Sequence, residues 1–249
     1  MKVSIIIPTW NEASTLHACL PAASADVEVI VADGGSRDGT VEVAEARGCK
    51  VCITAPGRAR QMNAGAEIAS GDIFVFLHAD TRLPGNFVVH VRRILSEPNT
   101  VAGAFRLQID SRLRRIRLIE RLANWRSVHW QMPYGDQAIF LRAKDFGADG
   151  GFPDLPIMED VELIRRLRKR GRIRTAPVPV VTSARRWEEW GVWKTMLLNQ
   201  ACIAAYYWGI SPSRIRDWYL HSAVPRVSLE VSACEVGQIG DGSGRSHGG

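Results

Sequence analysis

Residues 3–12 read Val-Ser-Ile-Ile-Ile-Pro-Thr-Trp-Asn-Glu, residues 27–40 read Val-Glu-Val-Ile-Val-Ala-Asp-Gly-Gly-Ser-Arg-Asp-Gly-Thr, and residues 73–80 read Ile-Phe-Val-Phe-Leu-His-Ala-Asp. Each stretch opens on an apolar run without polar alternation and closes on a cluster of polar side chains. A short unbroken apolar run is a strand buried on both faces, as in a parallel sheet. Val3–Ile7, Val27–Ala32 and Ile73–Leu77 are the first, second and fourth strands in chain order, and Lys50–Thr54 reads as the third. Between them, helices are expected from Ser14 or Thr15 to Ala23, over Thr40–Arg47, and after a loop within Gly57–Ala69. Strands alternating with helices require right-handed crossovers, and so a doubly wound, mostly parallel α/β sheet. Such sheets bind ligands beyond the carboxyl ends of their strands. Three of those ends are polar here: Thr9–Glu12, Asp33–Ser36 and His78–Asp80.

Farther along, the pattern loosens. Val101–Ile109 reads as a strand, Arg112–His129 as an amphipathic helix, Ala138–Leu141 as a short strand and Glu159–Arg170 as a helix opened by two acids. Val178–Thr182 reads as a strand and Trp190–Trp208 as one long apolar helix. The last residues are rich in Gly and Ser without periodicity. The expected division is a single domain over 1–220 and a flexible tail over 221–249.

The chain has 249 residues, 46% hydrophobic and 23% charged, which excludes a disordered, collagen-like or multi-span membrane protein. Five cysteines are an odd, sparse set, so a reducing compartment is expected. Cys49 and Cys52 have CxxC spacing but fall on a strand, where positions three apart face opposite sides, so they read as structural. The apolar run after Met1 is short and stopped by Pro8, so no leader is expected. Asn199 and Gln200 interrupt the longest apolar stretch, Met196–Ile210, which falls short of the roughly 20 residues of a membrane span. The expected location is the cytoplasm, with peripheral contact at the inner face of the membrane left open.

The turn after the first strand lacks GxGxxG and the chain lacks GxxxxGKS/T, which argues against a dinucleotide-binding Rossmann domain and a P-loop NTPase. An acid closing the second strand suits the N–H or hydroxyl groups of a base or ribose. An acid closing the fourth suits a hard divalent cation that bridges phosphates.

These segments, in this order, resemble family 2 glycosyltransferases of the GT-A fold, and in particular a small bacterial "transferase 2" subgroup with LHADT and RRW signatures. Gly57-Arg-Ala-Arg-Gln-Met-Asn-Ala-Gly65, Gly135-Asp-Gln137 and Met158-Glu-Asp-Val-Glu162 add to the resemblance, which covers roughly residues 1–190. It implies a nucleotide-sugar-binding half over 1–100 and an acceptor half with C-terminal helices over 101–220. Pro8, Thr9, Asn11, Glu12, Asp33, Gly35, Arg58, Gln61, Asn63, Ala79 and Asp80 would then lie against the donor, a nucleoside diphosphate sugar with UDP as its nucleotide. Asp80, the last acid of a DxD-type motif, would hold Mn²⁺ or Mg²⁺. The first acid of that motif is replaced by His78, either a replacement ligand or a packed strand-end histidine. Asp160, with Glu159 beside it, would serve as general base for an inverting transfer to an acceptor hydroxyl. Acids opening a helix are also favoured by its dipole, which accounts for one of the two without catalysis. Asp136, Gln137, Arg186 and Trp187 would face the acceptor or the diphosphate; Ser183 stands where the QxxRW motif of processive members has glutamine. Asp38 and Gly39 read as turn formers.

The net charge is +6. Arg106–Arg126 holds seven arginines against two acids, and Arg165–Arg186 holds nine basic residues and no acid. The positive excess therefore lies in the acceptor half. Over Arg112–His129 it alternates with Leu113, Ile116, Ile119 and Leu122, which suits either a helix packed on the sheet or contact with an anionic membrane that presents a lipid-linked acceptor. No nucleic-acid-binding motif is present, and nucleic acid is not an expected partner. Two rival readings stay open: a sugar-phosphate nucleotidyltransferase on the same fold, and a non-catalytic membrane-associated protein with a degenerate site. Trp-Asn-Glu after the first strand, in place of a glycine-rich basic loop, argues against the first.

Overall fold

The computed structural model describes residues 1–223. Its first half alternates strictly: β1 (Val3–Thr9), α1 (Ala13–Cys19), β2 (Val27–Asp33), α2 (Thr40–Ala46), β3 (Lys50–Ile53), α3 (Arg58–Glu67) and β4 (Ile73–Phe76). β3, β2, β1 and β4 lie side by side and parallel, as expected from their unbroken apolar runs. Alternation along each strand sends side chains to two separate cores. Val3, Ile5, Ile7, Val29, Val31, Ile73 and Val75 pack on one face, and Ile6, Ile30, Phe74 and Phe76 pack on the other. α1, α2 and α4 (Phe87–Ser96) cover the first face, while α3 and α7 (Glu159–Leu167) cover the second. α3 lies close because residue 65 is glycine: a Cβ there would stand 2.5 Å from Ile6 Cγ2. The register pairs Thr9 with Asp33, which sets the carboxyl ends of β1 and β2 level.

The sheet continues with β7 (Phe140–Arg142), β6 (Thr100–Asp110), β8 (Arg172–Ser183) and the two-residue β5 (Thr81–Arg82), giving the order β3-β2-β1-β4-β7-β6-β8-β5. β7 runs antiparallel to both of its neighbours, and β6 and β8 run parallel to each other, so the sheet is mixed but mostly parallel. α5 (Arg114–His129) packs Ile116, Ile119 and Ala123 onto Leu107 and Ile109 of β6. Its buried Glu120 accepts from Ile109 N at 2.6 Å and is paired with Arg117, so a charged side chain helps to fasten this helix to the sheet edge.

Several expected boundaries are corrected. The apolar helix expected over 190–208 is broken at Gly191, whose φ of 84° separates α8 (Arg185–Trp190) from α9 (Val192–Tyr207). β8 begins at Arg172 because it pairs with β6 along most of its length. α4, α6 (Ala143–Asp149) and α10 (Pro212–Ala223) were not anticipated. α10 crosses the expected boundary at 221, and the rest of the expected tail, 224–249, lies outside the described residues. Cys49 and Cys52 are free thiols on β3 and its approach. No helix among the described residues is long and apolar enough to cross a membrane.

Candidate active site

The ends of β1 and β2 are held together by Asp33. Its carboxylate, almost without solvent exposure, accepts from Thr9 Oγ1 (2.9 Å), Ser36 Oγ (2.5 Å), Gly35 N (2.8 Å) and Ser36 N (2.7 Å). Burial works against the charge, but these donors outweigh it and hold the carboxyl below its ordinary range. Asn11 sits at φ 54°, its amide donating to Ser36 Oγ and its Oδ1 accepting from Arg37 N at 2.9 Å. Asp38 accepts from Ala13 N and Thr40 Oγ1, so it is a turn former. Glu12 Oε1 lies 3.3 Å from Arg185 Nη2, and its Oε2 is buried without a partner among the described residues. Pro8 is half-buried at this rim and Gly35 is exposed.

Two residues expected at the donor hold the scaffold here. Gln61 is buried, and its Nε2 donates to Thr9 O (2.6 Å) and Ala32 O (2.9 Å), so its amide ties β1 to β2. Asn63 exchanges hydrogen bonds with Phe152 N and O, clamping α3 to the loop after α6. Both side chains are spent on the backbone. Neither use could be read locally, because the partners are far away in sequence.

Past β4, His78 and Asp80 diverge. Asp80 accepts from Thr81 Oγ1 at 3.1 Å and Thr182 Oγ1 at 3.4 Å and lines a cleft of about 420 Å³ with Cys19, Arg82 and Arg185. Buried Ala79 separates it from His78, which lines a different cavity. Burial, reinforced by Arg58 and Arg186, holds His78 down to about 3, so its imidazole is neutral at physiological pH. Among the described residues no three His, Cys, Asp or Glu side chains converge as a ready-made metal site. A single carboxylate with two hydroxyl neighbours still suits a cation that keeps water and phosphate oxygens as its remaining ligands.

The second cavity, about 210 Å³, lies where α7 begins beside a single 3₁₀ turn, Gly135–Gln137. Asp160 accepts from Gly135 N (2.6 Å) through Oδ2 and from Val161 N (2.8 Å) through Oδ1. Glycine at 135 lets these groups approach closely: a Cβ would stand 3.0 Å from His78 Nε2 and 3.1 Å from Asp160 Oδ2, and both side chains would have to give way. Glu159 is buried with Oε1 3.2 Å from Arg58 Nε; burial pushes its carboxyl up while Arg58 pulls it back. Asp136 is raised by burial, with Asp160 and Asp80 pushing the same way and Arg126 and Arg186 opposing, and its Oδ1 is buried without a partner among the described residues. Arg186 donates to Tyr219 Oη at 3.0 Å and lines the cavity with Trp187. Tyr219 and Arg126, whose guanidinium lies 3.4 Å from the Tyr134 ring centroid, also line it and were not anticipated; nothing in the sequence near either one signals the site.

Gln137 serves the scaffold: it is fully buried, its Nε2 donating to Phe105 O (2.9 Å) and its Oε1 accepting from Ser127 Oγ (2.6 Å), so its side chain locks the 3₁₀ turn to β6 and α5.

Residues 4–151 match the family described as "Glycosyl transferase family 2". A PGL/p-HBAD biosynthesis glycosyltransferase of Mycobacterium tuberculosis is 38% identical over 91 residues, 32% of this chain and 36% of that protein. The chain thus spans only about a third of the length of such curated relatives. Among solved structures, a mannosyltransferase from Pyrobaculum calidifontis in complex with GDP-Man and Mn²⁺ superposes with a TM-score of 0.64 at 20% identity, over 89% of this chain and 68% of its own. Glucosyl-3-phosphoglycerate synthase from Mycobacterium tuberculosis, in complex with Mn²⁺, UDP and phosphoglyceric acid, gives 0.53 at 20% identity over 73% and 69%. These likenesses establish a GT-A fold.

Proposed function

The chain belongs to glycosyl transferase family 2, and from that premise we propose that it moves a sugar from a nucleoside diphosphate donor to an acceptor hydroxyl by a single inverting displacement. The observation that carries this reading is Asp160. Its carboxylate is fixed by two backbone N–H groups at the rim of a cavity that also holds Arg58 and Arg186. A carboxylate so held is oriented to accept the proton of an attacking hydroxyl. Arg58 and Arg186, the cationic neighbours, suit the diphosphate that carries charge away from the anomeric carbon.

The donor side of the reading rests on the rim formed by Asn11, Glu12, Asp33 and Gly35, with uracil as the base. Asp80 would hold a divalent cation, Mn²⁺ or Mg²⁺, which would supply charge neutralisation for the leaving diphosphate. The same fold carries bound nucleotide and Mn²⁺ in the Pyrobaculum mannosyltransferase and the mycobacterial synthase. Glu159 positions Arg58 through their ion pair.

Calorimetry with UDP and Mn²⁺, followed by hydrolysis of a panel of nucleotide sugars with water as acceptor, tests the reading. Metal-dependent UDP binding that Asp80→Ala weakens at least tenfold, together with hydrolysis of at least one donor, is expected. Absence of binding, or binding indifferent to Asp80→Ala, would overturn it and favour a non-catalytic protein.

Contact with an anionic membrane has its own support. Leu118, Leu122 and Trp125 stand about half exposed on α5 among the exposed Arg114, Arg115 and Arg121. An interfacial helix has this composition. Sedimentation with vesicles containing anionic lipid, and none with neutral vesicles, is the expected result.

A further inference from the structure

The cavity at Asp160 is built from two kinds of wall. Asp160, Arg58 and His78 supply charged and polar lining, joined by Arg126 of α5 and Asn199 and Gln200 of α9, while Ile119 and Ala123 of α5 and Met196 and Ile203 of α9 supply aliphatic lining. Hydroxyl groups set against those aliphatic side chains would lose hydrogen bonds to water without replacement, whereas the polar lining can receive a hydroxylated head. An apolar chain loses none and is driven in by burial. The outward faces of the same two helices expose Leu118, Leu122 and Trp125 on α5 and Trp193 and Leu197 on α9. With the exposed Arg114, Arg115 and Arg121 of α5, both helices carry side chains suited to an anionic bilayer.

Resting on the transfer reading above, we propose that the cavity between α5 and α9 seats the apolar chain of a membrane amphiphile that serves as acceptor, its hydroxylated head at Asp160. The groove thus selects for an acceptor of two parts, a polar head for the acid and a chain for the helices.

The test is calorimetric titration of the full chain with n-alkyl β-D-glucosides of increasing chain length, kept below their micelle concentrations, with free glucose as the head-only control. Saturable one-to-one binding is expected, strengthening about fourfold per methylene until the cavity is filled. Glucose should not bind detectably. Ala123→Phe, which fills the cavity, should weaken decyl glucoside at least tenfold; Ile203→Asn, a polar group in the wall, replaces it if Ala123→Phe does not melt cooperatively. Affinity independent of chain length, or unchanged in a folded variant, overturns the proposal. Hydrolysis of nucleotide sugars is followed in parallel on the wild-type chain. Hydrolysis without alkyl glucoside binding removes the chain site alone, whereas chain-length-dependent binding without hydrolysis upholds the chain site and removes the transfer reading.

Discussion

At the ends of β1 and β2 the polar side chains answer one another. Asp33 takes four hydrogen bonds, Gln61 gives two to the backbone, and Asn11 and Asp38 are absorbed into turns. Where α7 meets the 3₁₀ turn, the carboxyl groups are crowded and under-supplied. Among the described residues, Asp136 Oδ1 and Glu159 Oε1 are buried without a hydrogen-bond partner, although an arginine nitrogen stands 3.2 Å from the latter. Buried polar atoms are normally satisfied, so a group of exceptions calls for a reason. Both regions hold acids at the rim of one sheet, but in the first the chain's own donors hold them in place and in the second buried carboxyl oxygens are left over. Glu12 stands on the border, its Oε1 beside Arg185 and its Oε2 unpartnered.

The sharpest way to break this contrast is Asp160→Asn. A general base contributes about 10²–10⁴-fold, so sugar transfer should fall by that factor while UDP affinity in calorimetry stays within about twofold. Wild-type turnover in the variant would remove the base assignment. Gly135→Ala comes next. The added methyl meets His78 and Asp160 and displaces the carboxylate. Turnover should fall about 10–100-fold with little change in the melting temperature. An equal loss of stability would make the glycine a packing requirement only.

Gln61→Leu and Gln137→Leu probe the scaffold. Each removes buried side-chain hydrogen bonds, Gln61 to Thr9 O and Ala32 O and Gln137 to Phe105 O and Ser127 Oγ, at a cost of about 1–3 kcal/mol in denaturant unfolding. If Gln137→Leu were neutral for stability yet abolished transfer, an acceptor role would return. The smallest effect expected is a difference in sign. Asp33 is depressed in the folded chain, so its stabilisation is present above its unfolded pKa of about 3.9 and is lost as pH falls through the folded value. Asp136 is raised, so its cost is fully present above its folded pKa and is relieved on acidification. Asp136→Asn should therefore gain on wild type in melting temperature as pH rises above about 4, whereas Asp33→Asn should lose ground as pH rises toward about 4 and keep a constant deficit above it. Parallel curves for the two variants would erase the distinction.

The strands β1 to β4 were legible because each carries its own periodicity, and their polar ends were legible because the chain punctuates each one. α4 had a readable signal in Phe87, Val91, Ile94 and Leu95, all buried on one face behind Asn86. Gln61, Asn63 and Gln137 were read as ligand groups because an amide in a polar motif looks the same whether it faces solvent or an unpaired carbonyl.

From the sequence alone come the alternating elements, the parallel sheet, the family resemblance and the pairing of Glu159 with Asp160 at a helix start. Each depends on neighbours within a few residues, where spacing dictates geometry. The tertiary structure alone decides which polar groups are spent and which are left over. It sets Gly135 N on Asp160, Arg58 on Glu159 and Gln61 across β1 and β2. It also opens a cavity of mixed lining beside two helices about 80 residues apart in the chain. Satisfaction of a buried group depends on what the fold carries to it from far along the sequence, and no local pattern records that.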